Sequence, residues 1–463
     1  MKMISTGSGL QFPRSFLWGT ATAAHQVEGN NANNDWWRWE QVPGHVADGT
    51  RSGLACDHYH RFREDFDLLS SLRQNAHRLS IEWSRIEPSP GQIDREAVAH
   101  YREVLECLRE RGIEPIVTLH HFTNPIWLAE RGGWEDESVV EPFLRFVRLA
   151  LREYGDLVRC WVTINEPVVY TYMGYIKGTW PPGRRSARLA LRVMRNMVRA
   201  HGRAYQVIHE ESPRSDVQVG VAHHLRIFDP YRPRLPLDRW VAALPEYLFN
   251  RCLLMTLIDG KLRVPLGHGQ IMPEAVGSTD FLGLNYYTRD TVGFQPKQLR
   301  MLFGGAFPTQ GERSLPGWEI YPEGMYRLLK FLAPLGKPIY ITENGVADER
   351  DELRPYFLVR HLAQIHRAIQ EGAPVQGYMH WSSMDNFEWA DGLRLRFGLV
   401  HVDFETQKRT VKPSGWLYAD ICGKGGITAK QLDRYAPEVV RRRGAVPGLA
   451  AGQGGAISTK SGA

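Results

Sequence analysis

The sequence lacks the features that mark a secreted or membrane-bound chain. Residues 1–16 contain no apolar run of about 7–15 residues, so no signal peptide is visible. No stretch approaches the ~18 consecutive apolar residues of a membrane span. Cysteine is scarce: there are five in 463 residues, with no Cys-x-x-Cys pair, and an odd number argues against a full disulfide framework. We expect a cytoplasmic protein with no membrane partner.

A strong charge of one sign and internal divisions are also missing. The net charge is only +6, and the densest arginine run, 184–203, has the helical spacing of a solvated face, so we expect no nucleic-acid partner. No repeat or linker rich in proline, glycine and serine divides the chain. Residues 444–463 are small and polar without periodicity, which predicts a disordered tail. We therefore predict one domain, 1–443, and a tail, 444–463.

Aromatic residues are abundant, at 11% of the chain with 14 tryptophans. The broad face and single N–H of tryptophan suit sugars, which present C–H faces ringed by hydroxyls. The same composition also suits a core of large side chains, so composition alone leaves both interpretations open.

Eight short apolar runs alternate with amphipathic stretches. This order predicts a single (β/α)8 TIM barrel with long βα loops. A doubly wound sheet is the alternative, but the glycine-rich phosphate loop that usually follows its first strand is missing. The predicted strands are 16–20, 75–81, 115–120, 159–164, 217–222, 280–284, 338–342 and 375–380.

Polar or aromatic residues follow nearly every predicted strand. In a barrel, these carboxyl ends meet on one face and form the pocket. Two ends carry a glutamate directly after an apolar run, Glu166 and Glu343, where a carboxylate is costly unless it is paired or functional. A structural pair with Arg78 would explain one of them. Two such carboxyls in an aromatic-rich pocket favour hydrolysis of glycosidic bonds.

A metal site is the competing interpretation of the strand ends. His120-His121 and His223-His224 could ligate a metal on a barrel. His58 and His60 lie in a helical pattern, where residues two apart face away from each other. We expect hydrogen-bonding or core histidines, and no metal or cofactor.

Six motifs occur along the chain in a fixed order. They are Phe-Leu-Trp-Gly-Thr-Ala-Thr-Ala (16–23), Gln-Val-Glu-Gly (26–29), Arg-Leu-Ser-Ile-Glu-Trp-Ser-Arg (78–85), Thr-Ile-Asn-Glu-Pro (163–167), Ile-Thr-Glu-Asn-Gly (341–345) and His-Trp-Ser-Ser-Met-Asp-Asn-Phe-Glu-Trp (380–389). Each motif alone is weak, but in this order and spacing the chain resembles glycoside hydrolase family 1, the retaining β-glycosidases typified by β-glucosidases. The resemblance extends from Phe12 to about Ala429.

The resemblance implies a role for each matching residue. Glu343 would be the nucleophile and Glu166 the acid/base, with no cofactor. Asn165 would bind the sugar 2-hydroxyl, and Arg78 and Tyr287 would position Glu343 and keep it ionised, which would raise the pKa of Glu166. Four residues would bind the outer hydroxyls of the sugar: Gln26, His121, Glu388 and Trp389. Trp381 would form the floor of the pocket, and Trp318 would form a wall on the leaving-group side.

The resemblance implies a small β-glycoside or saccharide substrate but does not fix its details. The segment Phe122–Pro125 and the short stretch between strands five and six depart from the usual family pattern, which leaves the aglycone open. A 6-phospho-β-glycosidase is the close alternative, and we disfavour it because Glu388 would repel a phosphate. A non-catalytic sugar-binding protein and a metal-dependent barrel hydrolase are alternatives of other classes. The preferred sugar and the oligomeric state stay open.

Overall fold

The core of the fold is a closed barrel of eight parallel strands. The computed structural model describes residues 9–297, 304–308 and 311–444. The barrel strands, numbered β1 to β8 in chain order, are Leu17–Ala21, Ala76–Ser80, Glu114–His120, Cys160–Asn165, Gln218–His224, Phe281–Asn285, Ile339–Asn344 and Val375–Trp381.

Each strand pairs in parallel with the next along the chain, and β8 pairs with β1 to close the ring. The strands are almost entirely buried, since helices cover their outer faces and side chains fill the interior. All eight predicted strands are confirmed, with ends that move by one or two residues. The predicted barrel is confirmed, and the doubly wound alternative is wrong.

A helix of 8 to 25 residues follows each strand and packs on the outside of the barrel. Helix boundaries follow local chemistry: the Asp94 side chain accepts from the backbone N–H groups of Glu96 and Ala97 and caps the second helix. The helices, numbered α1 to α8, are His58–Ser71, Arg95–Glu110, Val140–Tyr154, Ala187–Glu211, Cys252–Asp259, Pro322–Leu332, Arg354–Gln370 and Pro413–Lys424.

The loops above the barrel carry short elements that shape the rim of the pocket. The short helices and turns there include Ala24–Val27, Asp35–Glu40, Trp83–Ile86, Ile126–Glu130, Pro167–Thr171, Tyr172–Lys177, Pro236–Glu246, Tyr247–Arg251 and Trp389–Asp391. A three-stranded sheet of Ile227–Pro230, Arg289–Phe294 and Gly304–Phe307 stands beside them. The expected long βα loops are therefore present.

The two ends of the described chain meet under the barrel. Strand Leu10–Gln11 pairs antiparallel with Gly426–Ile427, and the helices Ala429–Tyr435 and Pro437–Gly444 follow. The predicted tail, 444–463, lies outside the described residues apart from Gly444, so it stays a prediction.

One helical segment, Pro236–Asp259, is long and apolar enough to cross a membrane by length and composition, with a mean hydropathy of 1.3 over 18 residues. The sequence analysis searched for uninterrupted apolar runs. It did not find this segment, because charged residues such as Asp238, Glu246 and Arg251 interrupt it. In the fold, 44% of the 18-residue stretch is buried. Helices that pack on a protein core pass the same test of length and composition.

Candidate active site

The centre of the pocket is an ion pair between β2 and β7. Arg78 is fully buried, and its Nη1 donates to Glu343 Oε1 at 2.5 Å. The Tyr287 hydroxyl donates to the other oxygen of Glu343 at 2.7 Å. Glu343 is thus held in one orientation by two donors. This is the positioning that the resemblance assigned to Arg78 and Tyr287.

Glu166 follows β4 and starts the short helix Pro167–Thr171. Its φ is +45°, a backbone conformation that is uncommon outside glycine and clusters at functional sites. Its backbone N–H donates to the Ala222 carbonyl on β5 at 2.8 Å. The side-chain Oε1 accepts from Asn285 Nδ2 at 2.7 Å and lies 3.2 Å from His224 Nδ1.

Asn165 connects the two carboxyl groups. Its Oδ1 accepts from Arg78 at 2.6 Å and from Asn285 at 3.2 Å. Its Nδ2 lies 3.1 Å from His121 Nε2. Because Oδ1 already serves two donors, the amide donates to His121. The network therefore runs from the partners of Glu343 to those of Glu166.

The buried atoms in this region that have no partner among the described residues include His121 Nδ1, Gln26 Oε1 and His224 Nε2. Burial, the charge of Arg78 and the neighbouring His120 hold the pKa of His121 well below its usual range. A neutral His121 that accepts at Nε2 carries its hydrogen on Nδ1. The pocket therefore offers a free donor at His121 and a free acceptor at Gln26, which is what a hydroxylated ligand requires.

An aromatic wall surrounds these polar groups. The His121 ring is stacked against those of Trp381 and Trp389, at ring separations of 6.0 and 6.1 Å. Trp389 also contacts Trp36 and Phe122 and is almost fully buried. Tryptophan faces against a set of free polar atoms fit the apolar and hydroxylated faces of a sugar.

Glu388 lies at the outer end of the pocket. Its carboxyl accepts from Gln26 Nε2 at 3.3 Å and from the Trp381 side chain. Burial, and then the nearby charges of Asp391 and Glu343, raise its pKa to about 8. The carboxyl is therefore largely protonated at neutral pH, whereas the sequence argument treated it as charged.

Trp318 lies on the opposite side of the pocket and is half-buried. Its ring is 5.5 Å from Tyr287 and 6.4 Å from Phe397, and the Arg226 guanidinium lies 5.9 Å above it. It therefore borders the Glu343 side of the pocket from an outer loop. This position suits a wall for the leaving group.

The two catalytic candidates differ in electrostatics. Burial raises the pKa of Glu343 to about 7, although Arg78 and Tyr287 oppose this. Burial also raises that of Glu166, but the charge and hydrogen bond of His224, with Asn285 and Arg78, outweigh it, so this pKa is lowered. This order is the reverse of the expected one. Sequence reasoning considered His224 only as a possible metal ligand or a hydrogen-bonding or core histidine, and did not connect it with Glu166.

Arg78 is permanently charged and is hydrogen-bonded to Glu343, which favours the ionised form of Glu343. Two carboxyls that interact this closely titrate as a pair, so the proton that they share belongs to the pair and not to either residue alone.

The histidines of the metal interpretation have other contacts. His120 Nε2 lies 3.2 Å from both Asn124 Oδ1 and the Trp134 indole nitrogen and can hydrogen-bond to one of them at a time. Burial and the neighbouring His201 lower the pKa of His223 to about 3. Within the described part of the chain, no group of three or more potential ligands could hold a metal ion.

The family model for glycosyl hydrolase family 1 matches residues 9–427. This chain belongs to glycosyl hydrolase family 1.

The similar proteins are family 1 β-glycosidases. The chain is 35% identical to β-glucosidase A of Thermotoga maritima over 90% of this chain and 99% of that one. The β-glycosidase structure from Pyrococcus horikoshii is 38% identical, with a TM-score of 0.86 over 92% of this chain and 98% of the other. A T. maritima β-glucosidase in complex with glucoimidazole is 34% identical, with a TM-score of 0.85 over 90% and 100%.

Every site residue that the resemblance assigned lies in or around this family 1 pocket. Glu166, Glu343, Asn165, Arg78 and Tyr287 form one connected cluster. The remaining residues line its outer side or its rim: Gln26, His121, Trp381, Glu388, Trp389 and Trp318. The structure adds Asn285 and His224, whose contacts depend on strand register and leave no separate mark in the sequence.

We expect Glu388→Gln to stabilise the fold more at high pH than at low pH. A carboxyl whose folded pKa is raised contributes stability below its unfolded pKa, and this contribution is lost as the pH rises through about 8. The difference in Tm between variant and wild type should therefore increase from pH 5 to pH 9. Glu349→Gln, at an exposed carboxyl, is the control. A Glu388→Gln difference that is the same at both pH values would contradict the raised pKa.

Proposed function

We propose that this family 1 chain is a retaining β-glucosidase-type enzyme that removes terminal β-D-glycosyl residues from short saccharides and glycosides. One observation carries the proposal: two carboxyls stand at the ends of β4 and β7 in one buried pocket, each with its own donors. Retaining enzymes use such a pair as nucleophile and acid/base. The presence of both carboxyls disfavours a non-catalytic sugar-binding protein.

In the first half-reaction, Glu343 attacks the anomeric carbon and forms a glycosyl ester. Glu166 gives its proton to the departing oxygen, so the leaving group departs as an alcohol. Arg78 and Tyr287 keep a lone pair of Glu343 available by holding its carboxylate form. When the ester forms, the charge of Glu343 is lost.

In the second half-reaction, Glu166 is ionised and takes a proton from water. The water oxygen attacks the same carbon, the ester bond breaks and Glu343 is released as a carboxylate. Loss of the Glu343 charge in the intermediate favours this change of role, since it removes a like charge from beside Glu166. Two displacements at one carbon retain the β-configuration.

The sugar is bound by the atoms that the protein leaves without partners. We propose that His121 Nδ1 donates to a hydroxyl and that Gln26 Oε1 accepts from one. The protonated Glu388 offers both a donor and an acceptor at the outer end. Asn165 would contact the 2-hydroxyl beside the reacting carbon, and Trp381 and Trp389 would pack on the sugar ring.

The 6-phosphate alternative is not favoured, for a reason that differs from charge repulsion by Glu388. A phosphate needs a cation that faces the pocket. Arg394 is ion-paired with Asp391, and Arg396 donates to the Val402 carbonyl and stacks on Phe404. Both candidate arginines therefore already have partners. A largely neutral Glu388 suits an uncharged hydroxymethyl group.

We propose a cytoplasmic enzyme that works with two carboxyls and without a cofactor or metal. All five cysteines are buried free thiols, which suits a reducing compartment. The partner is a small saccharide or β-glycoside.

We expect the wild-type enzyme to hydrolyse nitrophenyl β-glucoside with a kcat/KM well above that for its 6-phosphate. A panel of gluco, galacto and fuco substrates, with and without the phosphate, measures the preference directly. Proton NMR of the first-formed product should show the β-sugar. A preference for the 6-phosphate would overturn the substrate assignment, and an α-sugar as first product would overturn double displacement.

We expect Glu343→Ala to lose activity by about 10⁴-fold or more, because no other group can form the ester. The variant should keep the wild-type circular dichroism spectrum. Azide should restore turnover of a dinitrophenyl glucoside and yield the α-glycosyl azide. Near-normal activity without azide would refute the nucleophile assignment.

We expect Glu166→Ala to slow substrates with poor leaving groups by about 10²–10⁴-fold and to spare the first step for dinitrophenyl leaving groups, which need no protonation. A dinitrophenyl substrate should give a burst and then stall, because the base for water is missing. Equal losses for both classes of leaving group would show that Glu166 is not the acid.

A further inference from the structure

The end of β5 places a histidine beside Glu166. The backbone N–H of Glu166 donates to the Ala222 carbonyl, and His224 lies two residues further along β5. Residues two apart on a strand point to the same face. In the adjoining ladder His224 is directly opposite Asn285 of β6. Strand register thus brings both side chains to the same carboxyl.

His224 and Asn285 approach the same oxygen of the Glu166 carboxyl. Both contact Oε1, at 3.2 and 2.7 Å. Within residues 9–297, 304–308 and 311–444, no side chain is hydrogen-bonded to Oε2. A proton on Glu166 therefore belongs on Oε2, where no donor competes with it. The protein's contacts are therefore on one oxygen of the carboxyl, and the other oxygen is left for a proton.

The imidazole has no other polar partner in the described chain. Its Nε2 is buried and unpaired, and its ring packs against Phe249 and Tyr287, both at 5.6 Å. Glu166 is therefore the one polar side chain that the His224 imidazole contacts among the described residues. This is unlike His223, which belongs to a different buried environment with His201.

We propose that His224 is a positioning residue that determines which of the two carboxyls carries their shared proton. From its position 3.2 Å from Oε1, its Nδ1 stabilises the carboxylate form of Glu166, which the second half-reaction needs. In the first half-reaction it leaves Oε2 free for the proton. This proposal rests on the proposed function and adds to it a residue that sets the protonation of the acid/base, Glu166.

Other charged or titratable groups also act on this carboxyl. Arg78 reaches it from β2, Glu343 from β7 and Tyr287 from the end of β6. Arg78 and Tyr287 are hydrogen-bonded to Glu343, whereas His224 lies 3.2 Å from Glu166 Oε1. Removing His224 therefore changes the balance within the pair without removing a donor from the nucleophile.

The test is the pH dependence of kcat/KM for a nitrophenyl β-glucoside, since its two limbs report the essential base and acid of the free enzyme. In His224→Phe, Glu166 should hold its proton to higher pH, so the alkaline limb should move up by about one pH unit. Because a protonated Glu166 no longer repels a charge on Glu343, Glu343 should ionise at lower pH and the acid limb should move to lower pH. The bell-shaped pH profile should therefore become wider. His224→Gln keeps a neutral donor and should give intermediate limbs.

His223→Gln is the matched control, because it changes the adjacent buried histidine on the same strand. Its limbs should stay at the wild-type pH values whatever its stability. A merely structural role for His224 would lower the height of the profile without moving its limbs. Unmoved limbs in both His224 variants, or an equal movement in His223→Gln, would overturn the proposal. If His224→Phe does not fold, the Gln variant alone decides.

The outcomes also separate this proposal from the proposed function. Wild-type activity that Glu343→Ala abolishes supports the function independently of His224. Unmoved limbs would then overturn the role of His224 alone. A wild-type enzyme that is inactive on every glycoside would overturn the function itself.

Discussion

The pocket depends on one guanidinium buried at its base. Arg78 contacts Thr118 on β3, Asn165 on β4 and Glu343 on β7, so one side chain joins strands from across the barrel. Loss of one partner from a buried ion pair typically costs about 3–5 kcal/mol, because the other charge is left unpaired. The interaction that orients the nucleophile therefore also connects the strands that carry the site.

The barrel and the main catalytic candidates were accessible from the sequence for clear physical reasons. Continuous apolar runs mark strands covered on both faces, and a glutamate directly after such a run is costly without a purpose. Because parallel strands end on one face, Glu166 and Glu343 could be expected in a single pocket. The resemblance then supplied the outer residues, such as Gln26 and Glu388.

The protonation states were not accessible, since they depend on contacts between distant segments. Gln26 and Glu388 are 362 residues apart in the chain but share a hydrogen bond. The raised pKa of Glu388 follows from burial that only the folded loops create. His224 was visible as a strand end, but its contact with Glu166 depends on the register between β4, β5 and β6. Local patterns do not encode that register.

Barrel closure has a consequence for how the chain is made. β1 ends at Ala21, whereas its second neighbour, β8, begins only at Val375. During synthesis one edge of β1 has no parallel partner until almost the whole barrel has been translated. The unpaired N–H and C=O groups of such an edge can pair with a strand of another chain. Contacts between residues far apart in the sequence also form slowly, which prolongs the exposure of the edge. The growing polypeptide therefore carries an unpaired strand edge until its last barrel strand has left the ribosome.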